Sequence, residues 1–211
     1  MILLTCVKIP ENSSLPLLAD EVSSLFSHPE NQGYMDEILK RANQLSVIES
    51  LFALKTLHGL ICRLPAAFDP SVLRLSRNEN GKPYFVGAHL RFSISHSRGY
   101  VACALSDCEE VGIDLEASQI EEGKALAISS RFFASREREA VQSDPKIFSR
   151  LWTEKEAKAK FWGISVGNLF SIEKSIPNPP EFQAVTLHRF KKHNIPITLC
   201  TKRSFSTIFF L

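Results

Sequence analysis

The chain reads as an α+β protein, and three features of the sequence say so. Apolar residues recur at helical spacing through the first quarter of the chain. Period-two alternation takes over between Leu90 and Glu116. Helix-forming stretches then return after Ala125 without the strict strand–helix–strand rhythm of a parallel α/β fold. The length of 211 residues suits one globular domain or two small halves packed together. With 44% apolar and 23% charged residues, the composition is that of an ordinary globular chain rather than a disordered one.

Taken in order, residues from about Leu15 to Arg63 are expected to be helical. Leu15, Leu18, Val22 and Phe26 mark one face, and Ile48, Leu51, Phe52, Leu54 and Leu57 mark another. Pro65 and Pro70 close that region. Asn80-Gly81 signals a turn, followed by a short extended piece from Lys82 to Val86. Leu90 to Leu105 reads as two strands around a turn at Arg98-Gly99, and Val111 to Glu116 as another strand. Helices are expected over Ala125–Phe133, over Arg136–Val141 and from near Thr153. From Leu169 onward the pattern is extended, broken by Pro177–Pro180 and ending in Ser204–Phe210. Fifteen Phe, against two Trp and three Tyr, imply a core filled by aromatic bulk.

Charge and cysteine usage narrow the function classes. A net charge of +2 is far from that of a dedicated nucleic-acid binder, although a local basic patch stays open. No apolar run approaches the ~20 residues that cross a bilayer. The opening MILLTCVKIP is too short in apolar residues for a secretory signal. Cys6, Cys62, Cys103, Cys108 and Cys200 form neither a C-x-x-C pair nor a zinc-spaced group, so free thiols and a cytoplasmic location are expected.

Four segments carry potential chemistry. In Val111-Gly112-Ile113-Asp114-Leu115-Glu116, a strand places Gly112, Asp114 and Glu116 on one face, the two carboxylates about 7 Å apart along the backbone. Like charges side by side repel, and a hard divalent cation would turn that repulsion into attraction. Gly112 would leave the surface bare for a ligand. The same residues also suit a solvated polar strand face. In Trp152-Thr153-Glu154-Lys155-Glu156-Ala157-Lys158-Ala159-Lys160, Trp152, Glu156 and Lys160 share one helical face. A capping box from Thr153 to Glu156 and a Glu156–Lys160 ion pair would account for that segment equally well. Ser95-His96 ends a strand before a turn, and Gly81-Lys82-Pro83 is a rigid turn presenting an ammonium.

Together and in this order, these segments resemble the 4′-phosphopantetheinyl transferases, in particular the long, monomeric type that activates peptide synthetases. That family shows G-K-P, then S-H-S, then G-I-D-x-E, and later a W-[ST]-x-K-E-[AS]-x-x-K helix. This chain has Gly81-Lys82-Pro83, Ser95-His96-Ser97, Gly112 to Glu116 and Trp152 to Lys160, with Arg131 to Glu137 similar to the family's R-F-F-S-x-x-E stretch. The resemblance implies two similar α+β halves, residues 1–106 and 107–211, with the site in the cleft between them and a monomeric enzyme. It implies transfer of the phosphopantetheine arm of coenzyme A to a serine of an apo acyl or peptidyl carrier protein, releasing adenosine 3′,5′-bisphosphate. By similarity, Asp114, Glu116 and Glu156 would hold magnesium, Glu116 through water if not directly. Glu156, or a water that it polarises, would take the serine proton, and Lys160 would neutralise phosphate charge. Gly81, Lys82, Pro83, Ser95 and His96 would contact the nucleotide end of coenzyme A. Trp152 would be a packing residue, and Glu137 structural or adjacent to the metal.

Two departures stand out. Glu49 occupies the place where the family carries an arginine for the coenzyme's 3′-phosphate, so Arg41, Lys55 or Arg63 would have to serve. Ser165 replaces the second of two glycines after the last lysine of the motif. Glu49 therefore keeps open a binding module of the same fold without transfer activity. A metal-dependent nuclease is the other alternative, from Asp114 followed by Glu156-Ala157-Lys158, although such E-x-K segments belong on strands.

Overall fold

The computed structural model describes residues 1–64, 69–175, 184–202 and 207–211. Along the chain run β1 (Ile2–Lys8), α1 (Leu15–Leu25), α2 (Asn31–Leu39), α3 (Gln44–Ile61), β2 (Leu75–Arg77), β3 (Pro83–Phe85), β4 (Arg91–Ser97), β5 (Tyr100–Ser106) and β6 (Gly112–Leu115). There follow α4 (Glu122–Phe132), α5 (Ser135–Ser143), α6 (Phe148–Trp162), α7 (Val166–Ser175), β7 (Val185–Lys192), β8 (Ile195–Lys202) and β9 (Ile208–Phe210). The fold is α+β. One sheet has the order β4-β5-β1-β9, a second the order β6-β8-β7, and β2 and β3 form a small pair. All pairs are antiparallel except β1 with β9.

Strand alternation sorts the core into layers. Leu3, Val101, Cys103 and Leu105 point into a cluster with Val22 of α1, Phe26 just after it, and Leu51, Leu54 and Leu57 of α3. Ile2, Leu4, Cys6, Ala102 and Ala104 point the other way, onto Val111, Ile113, Leu115, Ile197 and Leu199 of the second sheet. The central strands are thus apolar on both faces, which turns the opening residues into β1 although they show no alternation. Phe133 and Phe148 stack at 5.5 Å between centroids, with Phe170 and Trp152 in the same cluster, so the aromatic core expected from composition is present.

The helical region at the N-terminus is divided among α1, α2 and α3, and Arg98 and Gly99 turn between β4 and β5 with positive φ. Three expectations are corrected. Helix α6 begins at Phe148, after a 3-10 turn at Pro145–Ile147, not near Thr153. Thr153 is therefore interior: its hydroxyl donates to the Arg150 carbonyl and meets the Thr198 hydroxyl at 2.9 Å, so no capping box forms there. Residues after Leu169 continue as α7 to Ser175, where apolar Val166, Leu169 and Phe170 follow helical rather than strand spacing. Pro65, Pro177–Pro180 and Ser204 lie outside the described residues.

Candidate active site

Two edge strands meet at the site. β4 ends the first sheet and β6 ends the second. Alternation in β4 turns Ser93, Ser95 and Ser97 toward β6, whose edge N–H groups have no strand partner on that side among the described residues. Ile113 N–H donates to Ser93 Oγ at 3.0 Å, Leu115 N–H to Ser95 Oγ at 3.3 Å and Ala117 N–H to Ser97 Oγ at 3.3 Å. A ladder of hydroxyls thus replaces a strand pairing and satisfies buried backbone donors. The hydroxyls also donate onward. Ser95 Oγ donates to Asp114 Oδ1 at 2.7 Å, and Ser97 Oγ to Glu116 Oε1 at 3.0 Å. The N–H of Ser118 gives Glu116 Oε1 a further bond at 2.7 Å. Serine side chains therefore aim both carboxylates of the D-x-E segment.

Helix α6 covers the same face of β6. A Cβ on Gly112 would overlap the carbonyl of Ala157 and the backbone of Phe161, so this glycine lets the helix, rather than a ligand, approach the strand. That corrects the ligand-access role expected for Gly112. Seated this closely, α6 presents Trp152, Glu156 and Lys160 to one cleft of about 470 Å³, which Asp114 and Glu116 also line. Lys160 Nζ binds Asp114 Oδ1 at 2.7 Å instead of pairing with Glu156. Trp152 stacks on Phe148 and anchors the helix as well as lining the cleft.

Electrostatics mark this end of the cleft. Asp114 is only 6% exposed, and burial pushes its pKa up against the opposing pull of Lys160 and Ser95. Glu156 is also raised, first by burial, then by the neighbouring Asp114 and Glu116 charges, with Lys160 opposing. Three carboxylates face one ammonium. Among the described residues no group of three acids encloses an ion unaided. Magnesium, however, needs only one or two carboxylates, completing its shell with water and phosphate oxygens. An all-oxygen donor set with excess negative charge fits such a hard divalent cation.

The same cleft is lined by Gly81, Lys82, Pro83, Ser95 and His96, together with Arg41, Ser50, Tyr34 and Arg77. Gly81 has φ +85°, which favours glycine at this turn. The ammonium of Lys82 donates to Glu110 Oε2 at 2.7 Å and to the carbonyls of Val111 and Phe161. Asn78 Nδ2 reaches Gly163 O at 2.8 Å beside it. The G-K-P turn therefore ties β3 to the end of α6 besides lining the cleft. Ser95 also borders the cleft, its hydroxyl committed to Asp114.

Glu49 is not among the residues that line the cleft. It is 5% exposed, and its carboxylate accepts from Gly99 N–H at 2.7 Å and pairs with His96 Nδ1 at 2.9 Å. Of the basic residues considered in its place, Arg41 lines the cleft and donates to Ser50 Oγ at 2.7 Å, whereas Lys55 pairs with Glu21 at 2.8 Å away from it. Arg63 is not among the lining residues.

Glu137 is structural: it accepts from Ala134 N–H and pairs at 2.9 Å with Lys155, a buried ammonium also held by Glu173 at 2.7 Å. All five cysteines are free, and burial raises the pKa of Cys103, leaving a core residue rather than a nucleophile. Among the described residues no helix is long and apolar enough to cross a membrane.

Comparison with known proteins agrees with the motifs. Residues 110–207 match the 4′-phosphopantetheinyl transferase superfamily. The chain is 30% identical to the 4′-phosphopantetheinyl transferase HetI of a Nostoc species over 198 residues, covering 82% of this chain and 81% of the relative. It is 31% identical to the transferase AcpT of Salmonella typhimurium over 133 residues, 61% of this chain and 67% of the relative. It is 36% identical to the transferase gsp of Aneurinibacillus migulanus over 132 residues, 58% of this chain and 50% of the relative.

Proposed function

The chain belongs to the 4′-phosphopantetheinyl transferases, and from that premise we propose that it transfers the phosphopantetheine arm of coenzyme A to a serine of an apo acyl or peptidyl carrier protein. The leaving group is adenosine 3′,5′-bisphosphate. The observation that carries this reading is the meeting of Asp114, Glu116, Glu156 and Lys160, from a strand edge and a facing helix, in one cleft.

In the reaction, the carrier serine oxygen forms a bond to the phosphorus bearing the pantetheine arm while the anhydride bond to the nucleotide phosphate breaks. Positioning and charge stabilisation supply most of the catalysis in such a displacement. Asp114, Glu116 and Glu156 would hold magnesium, Glu116 through a bridging water if not directly; the ion supplies charge neutralisation at the diphosphate. Burial beside other carboxylates makes Glu156 more basic than an ordinary glutamate, which suits it to take the serine proton or to orient a water that does. Lys160, now paired with Asp114, would neutralise charge on the phosphate groups. Ser95 and Ser97 hold the carboxylates in place.

Gly81, Lys82, Pro83, Ser95 and His96, with Arg41, would border the nucleotide end. The halves 1–106 and 107–211 would each supply one wall, so a single chain suffices and a monomer is expected. A cytoplasmic location accords with the free thiols. The non-transferring module loses its motive, because the Glu49 carboxylate is engaged by His96 and Gly99. The nuclease reading fails because Glu156-Ala157-Lys158 lies within α6. The test is incubation with coenzyme A, magnesium and several apo carrier proteins, followed by intact-mass measurement. One phosphopantetheine increment on at least one carrier is expected; unmodified carriers throughout would overturn the proposal.

A further inference from the structure

The Glu49–His96 pair sits at the border of the cleft and has no role in the chemistry above. A carboxylate can only accept hydrogen bonds, so the 2.9 Å contact places the imidazole proton on Nδ1. Glu49 is itself fixed, through its second oxygen, by the Gly99 N–H. Nε2 is thereby turned toward Ser50 Oγ, at 3.5 Å, and Ser50 Oγ in turn accepts from Arg41. The result is a chain Glu49–His96–Ser50–Arg41 with its free-state nitrogen lone pair facing an arginine and a cleft.

The charged groups acting on His96 come from three elements. Glu49 on α3 favours the imidazolium, while Arg41 before α3 and Lys160 on α6 disfavour it. Burial is the largest influence and holds His96 below the ordinary histidine value. The Nδ1–carboxylate contact accounts for the single proton of a neutral ring and leaves Nε2 as the acceptor facing the Ser50 hydroxyl. A phosphate monoester entering beside Arg41 reverses that balance: it adds negative charge, and an unprotonated Nε2 has no proton to donate to it. Protonated, the same ring donates from Nε2 while Glu49 keeps Nδ1.

We propose that Glu49 is a positioning residue that makes coenzyme A binding proton-linked, holding His96 by Nδ1 so that Nε2 takes up a proton when the ribose phosphate monoester arrives. This rests on the reading of the cleft as a coenzyme A site. Where the family carries a permanent positive charge, this chain installs a titratable one backed by a buried acid.

The experiment is calorimetric titration of the full chain with coenzyme A and with dephospho-coenzyme A, which keeps the diphosphate but lacks the monoester. Measurements run in buffers of different ionisation enthalpy between about pH 7 and 8.5, where the monoester, with a second pKa of about 6, is already dianionic. Coenzyme A affinity should fall by up to about tenfold per pH unit with uptake approaching one proton, since one proton bound per ligand gives that slope. Dephospho-coenzyme A should lack that component. Glu49→Gln keeps an acceptor for Gly99 but cannot balance an imidazolium, so its coenzyme A affinity should be weaker at pH 7 and nearly independent of pH. If Glu49→Gln does not fold, His96→Gln serves, with the same flattening expected. A wild-type slope in either variant, or equal proton uptake with both ligands, would overturn the proposal. Binding of coenzyme A without any slope overturns it alone. No binding at any pH overturns the reading of the cleft as well.

Discussion

Asp114 and Glu49 are the two buried acidic side chains among the described residues, 6% and 5% exposed, and they are partnered differently. Asp114 is paired with the ammonium of Lys160, a fixed charge on a mobile stem, and supported by the hydroxyl of Ser95. Glu49 is paired with an imidazole, whose charge depends on its surroundings, and supported by a backbone N–H. A buried carboxylate facing a fixed cation holds charge ready for exchange with another cation. A buried carboxylate facing histidine stores instead the capacity to take up a proton. The same physical requirement, that a buried polar group keep its partners, thus underlies the proposed reaction centre in one place and the proposed proton-linked ligand site in the other.

Removing charge at the two acids should separate these roles. Asp114→Asn keeps size and hydrogen-bonding capacity, and should lower the transfer rate by at least about a hundredfold at every pH, the scale for loss of a charge-stabilising group. Glu49→Gln should instead alter how coenzyme A affinity depends on pH. Steady-state rates of carrier modification across pH check the first outcome; a mild, pH-confined defect in Asp114→Asn would erase the contrast.

Next in size is a change of packing. Gly112→Ala should destabilise the chain by about 1–3 kcal/mol, because α6 must move off β6, and should depress activity with Glu156 and Lys160 displaced together. Thermal unfolding and turnover measured on the same preparation decide this. Full retention of both would mean that the close helix–strand contact is not needed.

A third effect is in the acid limb. Asp114 and Glu156 both have raised pKa values, so the ionised forms needed for catalysis are lost at a higher pH than for ordinary carboxylates as pH falls. A divalent ion competes with protons for those oxygens, so raising magnesium should move the acid limb to lower pH. An acid limb insensitive to magnesium would argue against carboxylate ligation. The smallest effect concerns Ser97→Ala, which removes one hydrogen bond to Glu116 and one from Ala117 N–H. A loss of about 1 kcal/mol in stability is expected, with a few-fold fall in rate.

Much of the candidate site's arrangement was legible in the sequence because it depends on local periodicity. Period two set Gly112, Asp114 and Glu116 on one face, and a spacing of four set Trp152, Glu156 and Lys160 on another. What could not be read is what lies across from them. The hydroxyl ladder joins β4 to β6 through two sheet edges, and no local pattern announces which serine meets which amide. The spacing of Glu156 and Lys160 suggested a pair, yet the more deeply buried carboxylate of Asp114, from another element, holds the ammonium. Glu49 aligned with a ligand-binding arginine, but helix position alone does not say where a flexible side chain points. Helix α7 differs from the extended expectation because a short apolar run suits either element.

The measurement that bears most directly on the central claim is coenzyme A binding with and without magnesium, for the wild-type chain and for Glu156→Gln. The arrangement of Asp114, Glu116 and Glu156 around one cleft leads us to expect that magnesium tightens binding to the wild-type chain and does so far less in the variant. Equal magnesium dependence in both proteins, or none in either, would contradict it.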